Sequence, residues 1–363
     1  MNQAGPCADI PELAPPAEPS LSVNLSETPS MTTLSTLAAA LILAASGLGP
    51  LPDTEEIGWS HAPFELGACS VCHESDDPEA PGAVTMPGND LCYMCHDQLQ
   101  ENLASHEFTH AAVEFGCTTC HNPHNSTEGK LLNDRVPQLC YACHADIEAL
   151  AEGSTVDHGA VTQGKACTNC HNPHASSVEN ILVQLPYDVC MSCHDRSDLT
   201  GDDGKALVNI ANVLAQNPQW HGPVQAKDCS SCHQPHGGEH FRLLVDAYPA
   251  KFYAPYDPEN YALCFNCHND AMLTEPRTTT LTDFRDGERN LHYVHVHKEE
   301  RGRTCRACHG VHATSQPHQI RDGVPYGPSG WILPINFTET ETGGECARTC
   351  HTTRRYDNRG GTE

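Results

Sequence analysis

No lysine or arginine occurs among the first 129 residues, which carry 18 acidic side chains. The whole chain of 363 residues has only six lysines and a formal charge of −27. Such a surface repels phosphate backbones, which excludes nucleic acid as a partner. It favours solubility and attraction to basic proteins or cationic species. Aromatic residues are scarce at 6%, hydrophobic residues reach 38%, and mean hydropathy is −0.46. A conventional apolar core of the size expected for this length is therefore not on offer. Long apolar runs are lacking too. Leu34 to Leu48 is too short for a stable transmembrane span, but it has the length of a signal peptide, with small residues near Ala44, Ala45 and Ser46. The positive charges expected before it are missing. Residues 1–30 read as a disordered leader or an over-extended start, with Met31 as the alternative start, and 31–48 as a signal-peptide-like segment.

Cysteine is abundant, with 21 residues. Nine Cys-x-x-Cys-His units occur, with their cysteines at Cys69 and Cys72, Cys92 and Cys95, Cys117 and Cys120, Cys140 and Cys143, Cys167 and Cys170, Cys190 and Cys193, Cys229 and Cys232, Cys264 and Cys267, and Cys305 and Cys308. A tenth, Cys346 to Cys350, has one extra spacer residue. Only Cys7 stands outside the motifs, and no apolar run precedes it to suggest lipidation. Every second cysteine is followed by histidine: His73, His96, His121, His144, His171, His194, His233, His268, His309 and His351. This is the attachment signature of c-type haem, in which two thioethers hold the macrocycle and the histidine binds iron. A disulfide framework would need no such histidine, and a zinc site would pair two such cysteine sets. The expected cofactors are ten covalently attached c-type haems. Their attachment is made outside the cytoplasm, so export to the periplasm, the exterior or the outer membrane is expected.

The motifs fall into five pairs, with start-to-start separations of 23, 23, 23, 35 and 41 residues. A repeated two-haem unit follows. The expected fold is mostly irregular with short α-helices, cored by haem, with haem pairs over 61–106, 107–153, 154–200, 217–270 and 290–351 inside a domain of 49–363. That domain leaves about 32 residues per haem, too few to wrap each one separately. Helical patterns are expected over Leu139–Ala151 and residues 205–216, and a hairpin over Trp331–Gly343.

Ten motif histidines leave 14 others among the 24. His61, His110, His158 and His221 stand before the first motif of four units, and His124, His174, His236 and His312 follow the first motif of four units. This registry marks them as distal iron ligands. His295 is the upstream choice for the fifth unit, with His292 and His297 as competitors. Unit one has no downstream histidine, and His106 is the expected substitute, with His292, His240 and Met86 as rivals. His318 reads as a solvated loop residue. Met86 and Met272 are the only methionines outside the leader and the motifs, so bis-His ligation and low potentials are expected. Irons saturated in this way have no open position for a substrate, so the chain is expected not to be an enzyme. A reductase of a small oxyanion or nitrogen compound is the alternative; it would usually replace one motif histidine with lysine, and no such change occurs.

Residues 61 to 351 resemble the doubled Cys-x-x-Cys-His family of multihaem c-type cytochromes. Asn122-Pro123-His124, Asn172-Pro173-His174, the paired motifs and the upstream histidines carry the resemblance. Asn290 to His295, Gly302 to His309 and Gly343-Gly344 before the widened motif look like members from metal-reducing bacteria. The resemblance implies periplasmic or extracellular electron transfer, with redox proteins, a porin-type outer-membrane conduit or extracellular metal acceptors as partners, or self-association into a conductive filament.

Overall fold

The computed structural model describes residues 58–360 apart from 202, 203, 328 and 349. The leader, the signal-peptide-like segment and Cys7 lie outside the described residues. Regular structure is short throughout. Four of the five first motifs form a single 3-10 turn, at Cys69–Val71, Cys117–Thr119, Ala166–Asn169 and Cys305–Ala307, and the first motif of unit four is a turn without that regularity. Second motifs sit on α-helical turns: Asp90–Tyr93, Gln138–Tyr141, Pro186–His194 and Ala262–Phe265. The recurring element of the Cys-x-x-Cys-His motifs is one backbone bond. The motif histidine N–H donates to the first cysteine carbonyl four residues back, at 2.8 Å for His73 and 3.0 Å for His96 and His121. That turn is what brings two thiols and an imidazole to one side.

The helix expected over Leu139–Ala151 is two helices, Gln138–Tyr141 and Ala145–Gly153, broken at the motif. The break places His144 as the cap of the second rather than inside a continuous helix. Residues 205–209 are not helical, and the insert helix is Ile210–Gln216, capped by Asn209 and anchored by buried Leu214. At the C-terminus, Trp331–Pro334 pairs backwards with Gly323–Tyr326. Phe337–Thr340, Gly343–Cys346 and Arg354–Asp357 form a separate three-stranded antiparallel sheet. Gly343 and Gly344 lie within a strand there, because a Cβ at either position would collide with Tyr356. The expected hairpin over Trp331–Gly343 is thus replaced by two sheets.

Successive units are fastened by two-residue antiparallel pairings. Trp59–Ser60 pairs with Asn125–Ser126, Phe108–Thr109 with Ala175–Ser176, and Gln219–Trp220 with Ala313–Thr314. Val156 bridges Gly238 in the corresponding place. In every case the segment before one unit pairs with the segment after the first motif of the next. In the first two units Tyr141 is the one buried apolar side chain among the described residues. Tyr248, Tyr261, Leu273, Val296 and Val324 give the C-terminal part a denser interior.

Candidate haem-ligating sites

Nine pairs of imidazoles face one another, and each contains one motif histidine. His96 faces His61 at 6.2 Å between ring centres, His144 faces His110 at 6.0 Å, His194 faces His158 at 6.3 Å and His268 faces His221 at 6.1 Å. In these four the upstream histidine meets the second motif of its own unit. His73 faces His124 at 6.2 Å, His121 faces His174 at 6.1 Å, His171 faces His236 at 6.1 Å and His233 faces His312 at 6.3 Å. Here the downstream histidine comes from the next unit and meets the first motif of the unit before. The ninth pair is His309 with His292, at 6.3 Å. All nine pairs are within 25° of parallel.

This separation is too wide for ring stacking alone and too narrow for a solvent layer. Two metal–nitrogen bonds of about 2 Å each, plus the distance from each ring centre to its edge nitrogen, account for it. No described group of three or more His, Cys, Asp or Glu side chains could hold a metal ion by itself. The arrangement is pairs of imidazoles on either side of a gap, next to two free thiols, which fits iron carried in a covalently attached macrocycle.

Hydrogen bonds fix which ring nitrogen is left over. In all five first motifs the histidine Nδ1 meets the carbonyl nine residues on: His73 to Gly82 at 3.0 Å, His121 to Lys130 at 2.9 Å, His171 to Asn180 at 2.9 Å, His233 to Arg242 at 3.0 Å and His309 to His318 at 2.9 Å. Those carbonyl residues have left-handed backbone, with φ of 77° at Gly82, 61° at Lys130, 57° at Asn180, 60° at Arg242 and 56° at His318. Outside glycine this conformation costs of order 1–3 kcal/mol, and such strain concentrates where geometry matters. Its use here is to aim a carbonyl at Nδ1, leaving Nε2 for iron. The sequence reading missed these five residues. Their constant offset from the motif histidine was the available signal.

Upstream histidines are held by the next unit. His61 Nδ1 meets Pro123 O at 2.9 Å, His110 meets Pro173 O at 2.9 Å, and His158 meets Pro235 O at 2.7 Å. The His61, His110 and His221 N–H groups donate to the carbonyls of His124, His174 and His312. Asn122 and Asn172 accept from the N–H of His124 and His174, which closes each Asn-Pro-His element into a turn. One tie therefore positions two facing histidines at once.

Burial lowers the imidazole pKa of His174, His194, His221, His233, His236, His295 and His309. It takes His292 and His312 down to about 4. A neutral ring is the form that binds metal. In the fifth unit, Asn290 caps helix Leu291–Val296 by accepting from His292 and Tyr293 N–H, and its Nδ2 donates to Met272 and Glu275 carbonyls. The helix presents His292 and His295 three residues apart, with Phe284 against both. His351 lies close enough to His295 to help lower its pKa, and Cys308 is pushed up to about 12 by burial and by Cys350 and Cys346. His297 packs on Tyr256 and Tyr293. His106 bonds to Asn102 O at 2.6 Å through Nδ1 and is in none of the facing pairs. His318 bonds Glu339 at 2.9 Å through Nε2.

The thiols follow one another in chain order. Within units, Cys72 lies near Cys92 and Cys95, Cys120 near Cys143, Cys170 near Cys193, and Cys232 near Cys264. Between units, the free thiols of Cys92 and Cys117, Cys140 and Cys167, Cys190 and Cys229, and Cys264 and Cys305 lie side by side.

Residues 61–101, 110–149, 158–199 and 221–273 match the doubled CXXCH motif family. A stretch of 100 residues is 36% identical to multiheme cytochrome MtrA of Shewanella baltica (strain OS185), over 26% of this chain and 29% of that protein. The match thus spans under a third of that curated relative. The fifth pair and the widened motif lie outside the matched family segments. The four doubled motifs, the spacing of their thiols and histidines and these two similarities identify the chain as a multihaem c-type cytochrome of the doubled CXXCH kind.

Proposed function

We propose that the chain holds ten c-type haems and that every iron has two imidazole ligands. The nine facing pairs are the observation that carries this reading. His351 with His295 supplies the tenth pair, supported by their electrostatic proximity. The distal set is then His61, His110, His124, His158, His174, His221, His236, His292, His295 and His312, and His106 is left over. The downstream histidine of each unit from two to five faces a motif of the preceding unit, so unit one needs none for its own irons. In unit five the helix Leu291–Val296 carries both His292 and His295.

When bound, each haem supplies a one-electron ferric/ferrous couple of low potential, as bis-His ligation favours. The residues of the chain do the rest. The facing imidazoles would hold each iron from both sides, which would deny a small substrate access to it and argues against the reductase alternative. The thiol sequence sets the attachment points beside one another from first to last, so electrons can be relayed in single file. Covalent attachment places the working protein in the periplasm or outside the cell, with redox proteins as partners. An outer-membrane conduit and extracellular metal acceptors are the settings the resemblance implies. No described helix is long and apolar enough to cross a membrane.

Intact mass with carbon monoxide binding tests this reading. The expected result is a gain of ten haem masses and a reduced spectrum that carbon monoxide leaves unchanged. Carbon monoxide uptake at one haem per chain would favour the reductase.

A further inference from the structure

His292 is held differently from eight other imidazoles of the facing pairs. Five motif histidines and three upstream histidines have Nδ1 against a backbone carbonyl. A carbonyl can only accept, so it fixes a proton on Nδ1 and leaves Nε2 bare. His292, which faces His309, has its Nδ1 3.0 Å from the Thr282 hydroxyl instead. That hydroxyl also accepts the Phe284 N–H at 3.0 Å, in a turn closed within three residues. The same turn sets the Phe284 ring edge-on to His292, with ring centres 5.1 Å apart and planes at 74°. Hydroxyl and ring thus grip one imidazole together. The backbone beneath it is fixed separately, because the His292 N–H donates to Asn290 Oδ1 at 3.0 Å.

We propose that Thr282 is a positioning residue for His292, and that its hydrogen bond sets the potential of the ninth site, Cys305 to His309. The inference rests on the ligation reading above. With Nε2 given to iron, Nδ1 carries the ring proton and donates it to the hydroxyl. The hydroxyl then shares its lone pairs between two N–H donors, His292 and Phe284. It draws the Nδ1 proton less than an unshared carbonyl would. A less polarised imidazole is a less basic ligand, and a less basic ligand favours ferrous iron. The ninth site is thereby raised in potential, by a side chain that touches the ligand and not the iron.

The test is a redox titration of the haem-loaded protein, read together with electron paramagnetic resonance. His292→Met marks the ninth site by moving one component to higher potential. Thr282→Val keeps the shape of the side chain and removes the acceptor. It should move that same component to higher potential, changing its oxidised-to-reduced ratio at fixed potential by roughly threefold to tenfold, and alter the g-values of one low-spin haem. Thr282→Ser keeps the hydroxyl and should restore both. In a His292→Met background Thr282→Val should change nothing further, because methionine has no Nδ1 to lose a partner. An unaltered titration with unaltered g-values in Thr282→Val would overturn the proposal, as would an equal shift in the His292→Met background. Failure of Thr282→Ser to restore the component would show a packing role and overturn it too. Should Thr282→Val not fold, Thr282→Ala makes the same comparison. If His292→Met moves no component, the ligation reading itself fails.

Discussion

A histidine in this chain acquires its role from its partner rather than from its neighbours in sequence. His124 follows the first motif of unit two, yet its ring faces His73 of unit one. His106 is closer in sequence to unit one and bonds only locally, to Asn102 and Ser105. His124→Ala should therefore convert one low-spin haem to high-spin, and His106→Ala should leave the electron paramagnetic resonance spectrum unchanged. The opposite pattern would return the distal role to His106. Gly82 shows a second dependence. Its φ of 77° and its close approach to Glu74 leave no room for a side chain, and its carbonyl aims His73. Gly82→Val should cost about 1–3 kcal/mol and change the low-spin g-values of one haem, read by thermal unfolding and by electron paramagnetic resonance. Unchanged g-values would show that the carbonyl does not set ring orientation.

At the level of elements, the short pairings act as fasteners between units. Each joins the segment before one unit to the segment just after the downstream histidine of the next, and so holds two facing rings in place together. The helix Leu291–Val296 does this alone for the fifth unit, through its Asn290 cap. Asn290 is fully buried and satisfies two N–H groups and two carbonyls. Asn290→Ala should cost about 2 kcal/mol and loosen the His292 site in particular. A melting temperature within error of the parent would contradict that role. Much of the candidate site was legible in the sequence, because the motif spacing is fixed and the histidines that face the motif histidines recur in register with it. Who faces whom was not readable. Registry shows that His174 belongs to a repeat, but only the pairing of Phe108–Thr109 with Ala175–Ser176 carries it back to His121. The left-handed residues at Lys130, Asn180, Arg242 and His318 were harder to see, since Lys and Arg do not favour positive φ and only Asn and His among them do. The broken helix at Leu139–Ala151 has the same origin, because attachment geometry overrides helix propensity at the motif.

Across the whole molecule, charge is graded along the order of the motifs. Residues 58–129 hold 11 acidic and no basic side chains, a net of −11, whereas residues 277–363 hold 12 basic and 11 acidic, a net of +1. Negative surroundings favour ferric iron, so the sites of the first unit should have the lowest potentials and those of the fifth the highest. Salt screens exposed charges over about 8–10 Å at physiological strength, so the spread of potentials in a redox titration should narrow as salt is raised. A spread indifferent to salt would remove charge as its cause. Underneath all of this stands one claim, that each motif imidazole has a second imidazole across the iron and no site is left open. Mössbauer spectroscopy of the oxidised protein, grown on isotopically enriched iron, counts every iron by spin state. The expected spectrum is wholly low-spin for ten irons per chain, and a stoichiometric high-spin component would contradict the claim.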